Sequence, residues 1–404
     1  MGSALDQLPI TIKHWILGWT FWPVELKPIL SALLSISPIL VIFPTLFALT
    51  TVLERKGLGR IQNRRGPNRV GLPFTKLRLA GFGQFIADGV KMLTKEDIVP
   101  RAADRVVHFL APLALLVPAV LTYAVLPFGN GLVPLDLKET GLLYFFAVGA
   151  ATELSVFMAG WSSRNKYSLL GAMRAIAQMI SYELPLILSS VSVVMIAGTL
   201  SLPAIVQNQL WTEGGTFAHW NLFTPWGLAG FALFLIAASA EANRTPFDLP
   251  EAESELVAGY FTEYSGFKFA IFFLGEYLGL FAMSGLGITL FLGGWTAPMA
   301  WLAFIPSWAW FFGKLVAMIF GFIWVRGTIP RLKTDQLMNL AWKFLLPMTL
   351  VNLLAAALWH FTGREGWNIA GRWLVCGVVL FVPYWLLGRG FDNSVGKRVY
   401  RYAS

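Results

Sequence analysis

The chain has 404 residues, of which 56% are hydrophobic and only 13% are charged, and its formal net charge is +9. The charged fraction is about half of the ~25% usual in soluble domains, which excludes a disordered chain and a soluble protein of this length. Long windows without any fixed charge, such as residues 28–53 and 106–135, are typical of membrane-spanning helices.

The predicted fold class is all-α, a polytopic transmembrane helical bundle of about nine spans. The expected spans cover residues 29–53, 106–127, 141–160, 175–200, 222–240, 269–292, 308–325, 344–362 and 373–388. The fifth is the weakest, because only its second half is strongly apolar. We predict an interfacial, periplasmic segment at 1–28, a core membrane domain of eight spans at 29–362, and an extra C-terminal span with a basic tail at 363–404.

Basic residues fall mainly on one side of this topology. That side holds the loops 54–105, 161–174, 241–268 and 326–343 and the tail after 388. These segments contain 25 of the 31 lysines and arginines, so the positive-inside rule places them in the cytoplasm, with the chain in a bacterial inner membrane. The net charge is thus mostly an orientation signal, and we expect no nucleic-acid partner.

Metal ligands are sparse in this sequence. Its one cysteine, Cys376, forms neither an internal disulfide nor an iron–sulfur site, which needs several thiolates. The four histidines are scattered without the spacing of metal ligands. We therefore expect no metal site and no cofactor bound by this chain.

The first loop, 54–105, predicts an amphipathic surface helix in its second half, and its glycines and prolines are expected to break regular structure before that helix. The apolar positions recur at steps of three or four: Leu79, Phe82, Ile86, Val90 and Leu93. Two interpretations stay open. The helix either packs against the spans, or it forms a doorway that, with the flexible basic loops before it, frames an opening for a lipid-like ligand.

Three glutamates interrupt apolar spans: Glu153, Glu183 and Glu276. A charge near the bilayer centre costs roughly 2.5–3.5 kcal/mol on insertion scales, so three such residues favour an ion or proton path. The alternative is that each is a protonated acid that bonds a neighbouring helix. Lys314 is a fourth intramembrane charge, which either pairs with one of these acids or extends to the outer interface.

The stretch EANRTPFDLPEAESELVAGYFTEYSG, residues 241–266, combines six carboxylates with a single arginine, Arg244. Glu251 and Glu255 share a face if residues 251–260 are helical, and close carboxylates repel, so we expect some to hold protons and pass a charge change along. The alternative is a solvated acidic loop. The apolar residues between the acids, such as Phe247, do not favour it.

Five stretches between residues 54 and 347 carry a resemblance to a known family. They are ERKGLGRIQNRRGPNRVG, QFIADGVKMLTKE, RNKYSLLGAMRAIAQMISYE, EANRTPFDLPEAESELVAGYFTEYSGFKFAIFFLGEY and WVRGTIPRLKTDQLMNLAWKFLLP. In them the chain resembles the family of the H subunit of NADH–quinone oxidoreductase, respiratory complex I, whose mitochondrial counterpart is ND-one. The first 28 residues and the last span lie outside these stretches. The family commonly has eight spans, and some members have nine.

The resemblance implies one component of a proton-pumping enzyme that is not active alone. Such a component forms the entry channel and chamber for quinone, the substrate, and the start of a glutamate charge path that couples quinone reduction to proton translocation. The implied chamber residues are Arg55, Arg64, Asp88, Phe247, Arg326 and Arg331. The implied path residues are Glu153, Glu183, Glu241, Asp248, Glu251, Glu253, Glu255 and Glu276.

The resemblance also implies partners. They are the small membrane subunits, the hydrophilic quinone-site subunits with FMN and iron–sulfur clusters, and membrane lipid. Two other functions stay open: the homologous membrane component of a membrane-bound hydrogenase or formate-hydrogen lyase, and an independent ion carrier. The arginine-rich first loop and the run PFDLPEAESELVAGY favour the quinone enzyme over the first, and the large loops disfavour the second.

Overall fold

The computed structural model describes residues 6–18, 27–71, 79–211, 217–248 and 258–394. Its α-helices are α1 (Leu8–Leu17), α2 (Lys27–Ile61), α3 (Gln84–Thr94), α4 (Arg105–Leu121), α5 (Gly141–Ser162), α6 (Lys166–Ala197), α7 (Leu202–Gln207), α8 (Pro225–Glu241), α9 (Gly266–Phe291), α10 (Ser307–Thr328), α11 (Thr334–Leu340), α12 (Leu346–Arg364) and α13 (Ile369–Ser394). A π-helical turn, Ala341–Leu345, joins α11 to α12. The chain is therefore a helical bundle, as its composition predicts.

Eight segments of the described chain are long and apolar enough to cross a membrane. They lie in α2, α4, α5, α6, α9, α10, the continuous α11–α12 segment and α13. The fifth predicted span corresponds to α8, which has 17 residues and a length of about 26 Å. This is shorter than a hydrocarbon core of about 30 Å, in line with the weak apolar pattern of its first half.

The helix ends follow from local sequence. Asp104, Asn165 and Thr224 each accept a hydrogen bond from a backbone N–H in the first turn of α4, α6 and α8, which satisfies donors that have no partner within the helix. The helix α6 ends at Gly198, whose φ of +68° suits a residue without a Cβ. These caps place the start of α6 nine residues before the predicted span at 175.

The first span is also longer than predicted. The helix α2 continues to Ile61, so Gly57 and Gly59, expected to break regular structure, lie inside it. The reason is packing: a Cβ on Gly59 would lie 3.0 Å from the backbone nitrogen of Gly66. The glycine thus lets the following segment fold back against α2 rather than ending the helix.

The predicted amphipathic helix is present as α3. It begins at Gln84 rather than near Leu79, because Ala80 and Gly81 have φ values of +51° and +81° and turn the chain before the helix starts. The helix α3 buries none of its residues.

Three of the loops predicted to share one side, 54–105, 241–268 and 326–343, are joined to one another by direct contacts. Lys268 Nζ lies 2.8 Å from Asp97 Oδ2, which joins the start of α9 to the loop 54–105. The backbone N–H of Leu332 donates to the carbonyl of Pro246 at 3.0 Å, which joins the segment after α10 to the acidic loop. The polar sites described below include residues of these loops.

Candidate functional site

Glu54 lies at the centre of a buried polar cluster built from four segments of the chain. The hydroxyl of Tyr277 on α9 and the guanidinium of Arg326 on α10 both donate to its carboxylate. Arg244, in the loop after α8, places Nη1 3.9 Å from Glu54 Oε1 and stacks its guanidinium over the Tyr277 ring at 3.9 Å. Two cations around one buried carboxylate compensate its desolvation.

A small cavity lies among these groups. Its volume is about 10 Å³, and it is lined by the four cluster residues and by apolar side chains of α9 and α10. This volume is at the lower limit for one water molecule. The cluster is therefore closely packed.

The next residue along α2, Arg55, connects this cluster to the amphipathic helix. Its Nη1 donates to Asp88 Oδ2 at 2.6 Å, and Gln84 Nε2 donates to Asp88 Oδ1 at 3.0 Å. Two apolar side chains of α3, Val90 and Leu93, are exposed by 55% and 67%. The helix thus has a polar side joined to α2 and an apolar side suited to lipid.

The start of the acidic loop is held by Gln178, a fully buried side chain of α6. Its Nε2 donates to the carbonyls of Ala240 and Phe247 at 2.7 Å each, and it lies 3.2 Å from Asn243 Oδ1. One side-chain amide therefore spans the turn that brings Arg244 into the Glu54 cluster.

The residues that follow this turn face α6 and the segment after α10. Phe247 is 3% exposed, and its ring centroid lies 5.3 Å from that of Tyr182. Asp248 is buried and forms an ion pair of 3.0 Å with Arg331, which is half exposed. The Asp248–Arg331 ion pair thus joins the acidic loop to the segment after α10, and the assignment of these residues to a chamber or a path stays a prediction.

The intramembrane carboxylates form a second polar cluster. Glu241, at the end of α8, and Glu276, on α9, line one cavity of about 60 Å³, which has room for more than one water molecule. The hydroxyl of Tyr260 donates to Glu276 Oε1 at 2.8 Å. Glu153 and Glu183 both lie close enough to Glu241 to repel it electrostatically.

The two clusters meet on α9. Glu276 and Tyr277 are consecutive, so their side chains leave the helix about 100° apart. Glu276 faces the cavity shared with Glu241, and Tyr277 faces Glu54. A single turn of α9 therefore carries members of both clusters.

The far end of the acidic loop is also fixed to the bundle. The His108 ring stacks on Tyr264 with centroids 4.0 Å apart, and the Tyr264 hydroxyl lies 3.3 Å from Ser162 Oγ. Burial raises the pKa of Tyr264 to about 12. Asn165 Nδ2 donates to Glu263 Oε1 at 2.7 Å.

Some predicted residues lie apart from these clusters. Arg64 is in the exposed turn after α2, where its Nε donates to Gln62 Oε1 at 2.7 Å. The predicted path residues Glu251, Glu253 and Glu255 lie outside the described residues.

Lys314 does not pair with a predicted acid. Its Nζ donates to the carbonyls of Leu292, Gly294 and Thr296 at 2.6–2.8 Å, so it extends to the loop after α9. Lys314 therefore lies near the start of α10, whereas Arg326 lies near its end.

Sequence reasoning misses Glu54, Arg244 as a cluster member, and Gln178. Glu54 directly follows the apolar run that defines the first span, and it counts as a loop charge because the predicted span ends at 53. The local signal is the sequence LERKG, in which an acid precedes two bases at the end of a span. Within the described ranges, no three His, Cys, Asp or Glu side chains converge to hold a metal ion.

Comparison with known proteins identifies the family of the chain. A family model described as NADH dehydrogenase matches residues 34–357, which include all the described members of both clusters. The chain is 47% identical over 345 residues to the H subunit of NADH-quinone oxidoreductase from Dehalococcoides mccartyi (strain CBDB1), covering 84% of this chain and 91% of that protein.

Two further relatives have the same name. The H subunit from Geobacillus kaustophilus (strain HTA426) is 50% identical over 311 residues, which are 76% of this chain and 88% of that protein. The H subunit from Bacillus cytotoxicus is 50% identical over 305 residues, which are 76% and 86%. The chain therefore belongs to the NADH dehydrogenase family, together with these H subunits of NADH-quinone oxidoreductase.

Proposed function

We propose that this chain is the membrane-embedded H subunit of a proton-pumping NADH–quinone oxidoreductase, in which it forms the quinone entry channel and the membrane wall of the quinone chamber. The observation that carries the proposal is the buried cluster of Glu54, Tyr277, Arg244 and Arg326 beside an amphipathic helix whose apolar side faces outward. The names of the relatives support it.

Quinone entry would begin at α3. A long isoprenoid tail is apolar, and the exposed Val90 and Leu93 offer it an apolar surface. The quinone head is polar, and the Arg55–Asp88 pair between α3 and α2 lies on the way to the Glu54 cluster. The arrangement suits a ligand with one apolar end and one polar end.

The charge path would begin where the chamber wall meets α9. Reduction of a quinone places electron density on its oxygens before protons arrive, and nearby guanidinium groups stabilise that charge. Arg326 and Arg244 already share the carboxylate of Glu54, so charge on the quinone would compete with Glu54 for them. A change in this cluster alters the environment of Tyr277 and, through the same turn of α9, of Glu276.

From Glu276 the path would continue through the cavity to Glu241, and from there to Glu153 and Glu183. Glu241, Glu153 and Glu183 act on one another electrostatically, so protonation of one favours ionisation of the next. The cavity between Glu276 and Glu241 has room for the water that proton transfer needs. Asp248, with Glu251, Glu253 and Glu255, would belong to the same path.

We further propose how the chain is oriented in the membrane and which subunits surround it. The basic loops would face the cytoplasm of a bacterial cell, where hydrophilic subunits bring electrons from NADH through FMN and iron–sulfur clusters to the quinone. Small membrane subunits would cover other faces of the bundle. These assignments rest on the distribution of lysine and arginine and on the names of the relatives.

The experiment is a purification of the tagged chain from its own membranes in mild detergent, with mass spectrometry of the co-purifying subunits. Inhibitor-sensitive NADH–quinone reductase activity is measured on the same sample. We expect flavin and iron–sulfur subunits and that activity. Co-purification of a nickel–iron hydrogenase, or recovery of the chain without partners, would contradict the proposal and favour the hydrogenase-type assembly or an independent carrier.

A further inference from the structure

A cleft of about 300 Å³ lies at the end of the bundle opposite to the carboxylates. It is enclosed by α1, the first half of α2, the turn at residues 128–134 and the start of α10. Its volume is in the range of about 300–1,000 Å³ that is typical of small-molecule sites. Ile42 and Trp308 line its open side and remain 41% and 40% exposed.

The floor of the cleft is aromatic. The ring centroids of Phe43, Phe128 and Phe312 lie 5.7–6.3 Å from one another, within the range for favourable ring pairs. These rings come from α2, the turn and α10, so three segments present one continuous apolar surface. Such a surface suits a hydrocarbon chain.

The walls are tied together by one serine. Asp6 Oδ1 accepts hydrogen bonds from the backbone N–H and the hydroxyl of Ser307, at 2.6 and 2.8 Å. The backbone N–H of Asn130 donates to Ser307 Oγ at 3.0 Å. The segment before α1 and the turn are therefore both fixed to the start of α10, and the cleft is formed in advance of any ligand.

Among the described residues that line the cleft, Lys13 is the one with a charged side chain. Lys13 Nζ donates to Ser35 Oγ at 2.7 Å, and none of the ion pairs among the described residues includes Lys13. An ammonium group has three N–H donors, so two remain for an anion. The helix α1 itself exposes Leu8 and Trp15, as an interfacial helix does.

We propose that this cleft binds an anionic phospholipid, with one acyl chain over the phenylalanine floor and the phosphate at Lys13. The charge of the lysine selects an acidic headgroup, and its position on α1, at the wall of the cleft beside Ser35 of α2, places that charge next to the apolar floor. A quinone, which carries no charge, would leave the lysine uncompensated. This site is independent of the quinone chamber, since it lies at the other end of α2 and α10.

The test uses the assembly purified with its partners and placed in bilayers that contain phosphatidylglycerol or phosphatidylcholine with brominated acyl chains. Electron cryomicroscopy locates the bromine atoms. We expect bromine density over the phenylalanine floor with phosphatidylglycerol and little with phosphatidylcholine. Equal density with both lipids, an empty cleft, or a polypeptide segment of another protein in the cleft would overturn the proposal.

Variants of the cleft test whether the lysine and the apolar floor each bind the lipid. Lys13→Gln should lower phosphatidylglycerol occupancy about fivefold, the contribution expected of one lysine near a membrane surface, and Ile42→Trp should displace the acyl chain. Lys138→Gln is the matched control, because Lys138 is exposed and lies in the connection that continues from the turn of the cleft to α5. An unchanged occupancy in Lys13→Gln would remove the lysine from the site and overturn the proposal. The readout is lipid density, so it does not depend on enzyme activity.

Discussion

Glu276 and Tyr277 are neighbours in the chain, but their hydrogen-bond partners belong to two different clusters. Glu276 accepts a hydrogen bond from Tyr260 at 2.8 Å, whereas Tyr277 donates to Glu54. A helix turn is rigid compared with the loops around it, so we expect a displacement of one side chain to be transmitted to the other. On this basis we propose that this turn of α9 connects quinone chemistry to the carboxylate path.

The pair of Glu54 and Arg326 provides the first prediction. Glu54→Gln and Arg326→Ala should each lower inhibitor-sensitive quinone reductase activity, because each leaves the other charge poorly compensated. The double variant should be little worse than the more damaging single variant, with a coupling energy of about 1 kcal/mol or more. The measurement is a double-mutant cycle on quinone reduction.

Electron transfer from NADH to an artificial acceptor is the control for this cycle. It should stay at the wild-type level in all three variants, since it does not use the chamber. Equal loss of both activities would indicate misassembly, and additive effects on quinone reduction would contradict the pairing.

The sequence predicts much of this site but not its assembly. The acids Glu153, Glu183 and Glu276 are visible as charges within apolar runs, and the spacing of α3 is visible because its apolar positions repeat. Glu54 is different. Its partners Tyr277 and Arg326 lie 223 and 272 residues away, so a local pattern assigns it to a loop. The bundle converts that loop charge into a buried one.

Differences between predicted and observed helix bounds also arise from contacts between segments that are distant in the sequence. The extent of α6 depends on the cap Asn165 and on close contact with the end of the acidic loop, where a Cβ on Gly171 would lie 2.7 Å from Gly259 Cα. Hydropathy does not record such contacts, so the predicted span begins too late.

The second prediction concerns Glu183. Glu183→Gln removes a titratable group from the carboxylate cluster and should lower coupled quinone reductase activity and proton pumping while the complex still assembles. Glu139→Gln is the matched control, because Glu139 is an exposed acid outside the spans. Proton uptake and reductase activity are measured in vesicles. Wild-type values for both in Glu183→Gln would exclude this residue from the path.

The third prediction concerns the hydroxyl of Tyr260. Tyr260→Phe keeps the buried ring against Phe272 but removes the donor to Glu276. A lost hydrogen bond is worth roughly 0.5–1.5 kcal/mol, and we expect coupled activity to fall, while the yield of the assembled complex is unchanged. Tyr144→Phe, which removes a hydroxyl outside both clusters, should leave coupled activity unchanged. Unchanged coupled activity in Tyr260→Phe would show that this bond does not act on the path.

The fourth prediction concerns the turn that Gln178 holds. Gln178→Leu keeps the size of the side chain but removes the donor to the carbonyls of Ala240 and Phe247. Each carbonyl left buried without a donor costs about 1–3 kcal/mol, so the turn should open more often. Hydrogen exchange of the Arg244 and Phe247 amides should accelerate about tenfold or more, since the free energy of local opening falls by that amount. Gln207→Leu, at an exposed position of α7, is the control.

The same variant tests whether the turn matters for quinone chemistry. Arg244 reaches Glu54 only through this turn. We therefore expect Gln178→Leu to lower quinone reduction as well as to accelerate hydrogen exchange. Faster exchange with unchanged quinone reduction would mean that Arg244 is not needed in the cluster. Unchanged exchange would mean that other contacts, such as the Leu332–Pro246 hydrogen bond, suffice to hold the turn.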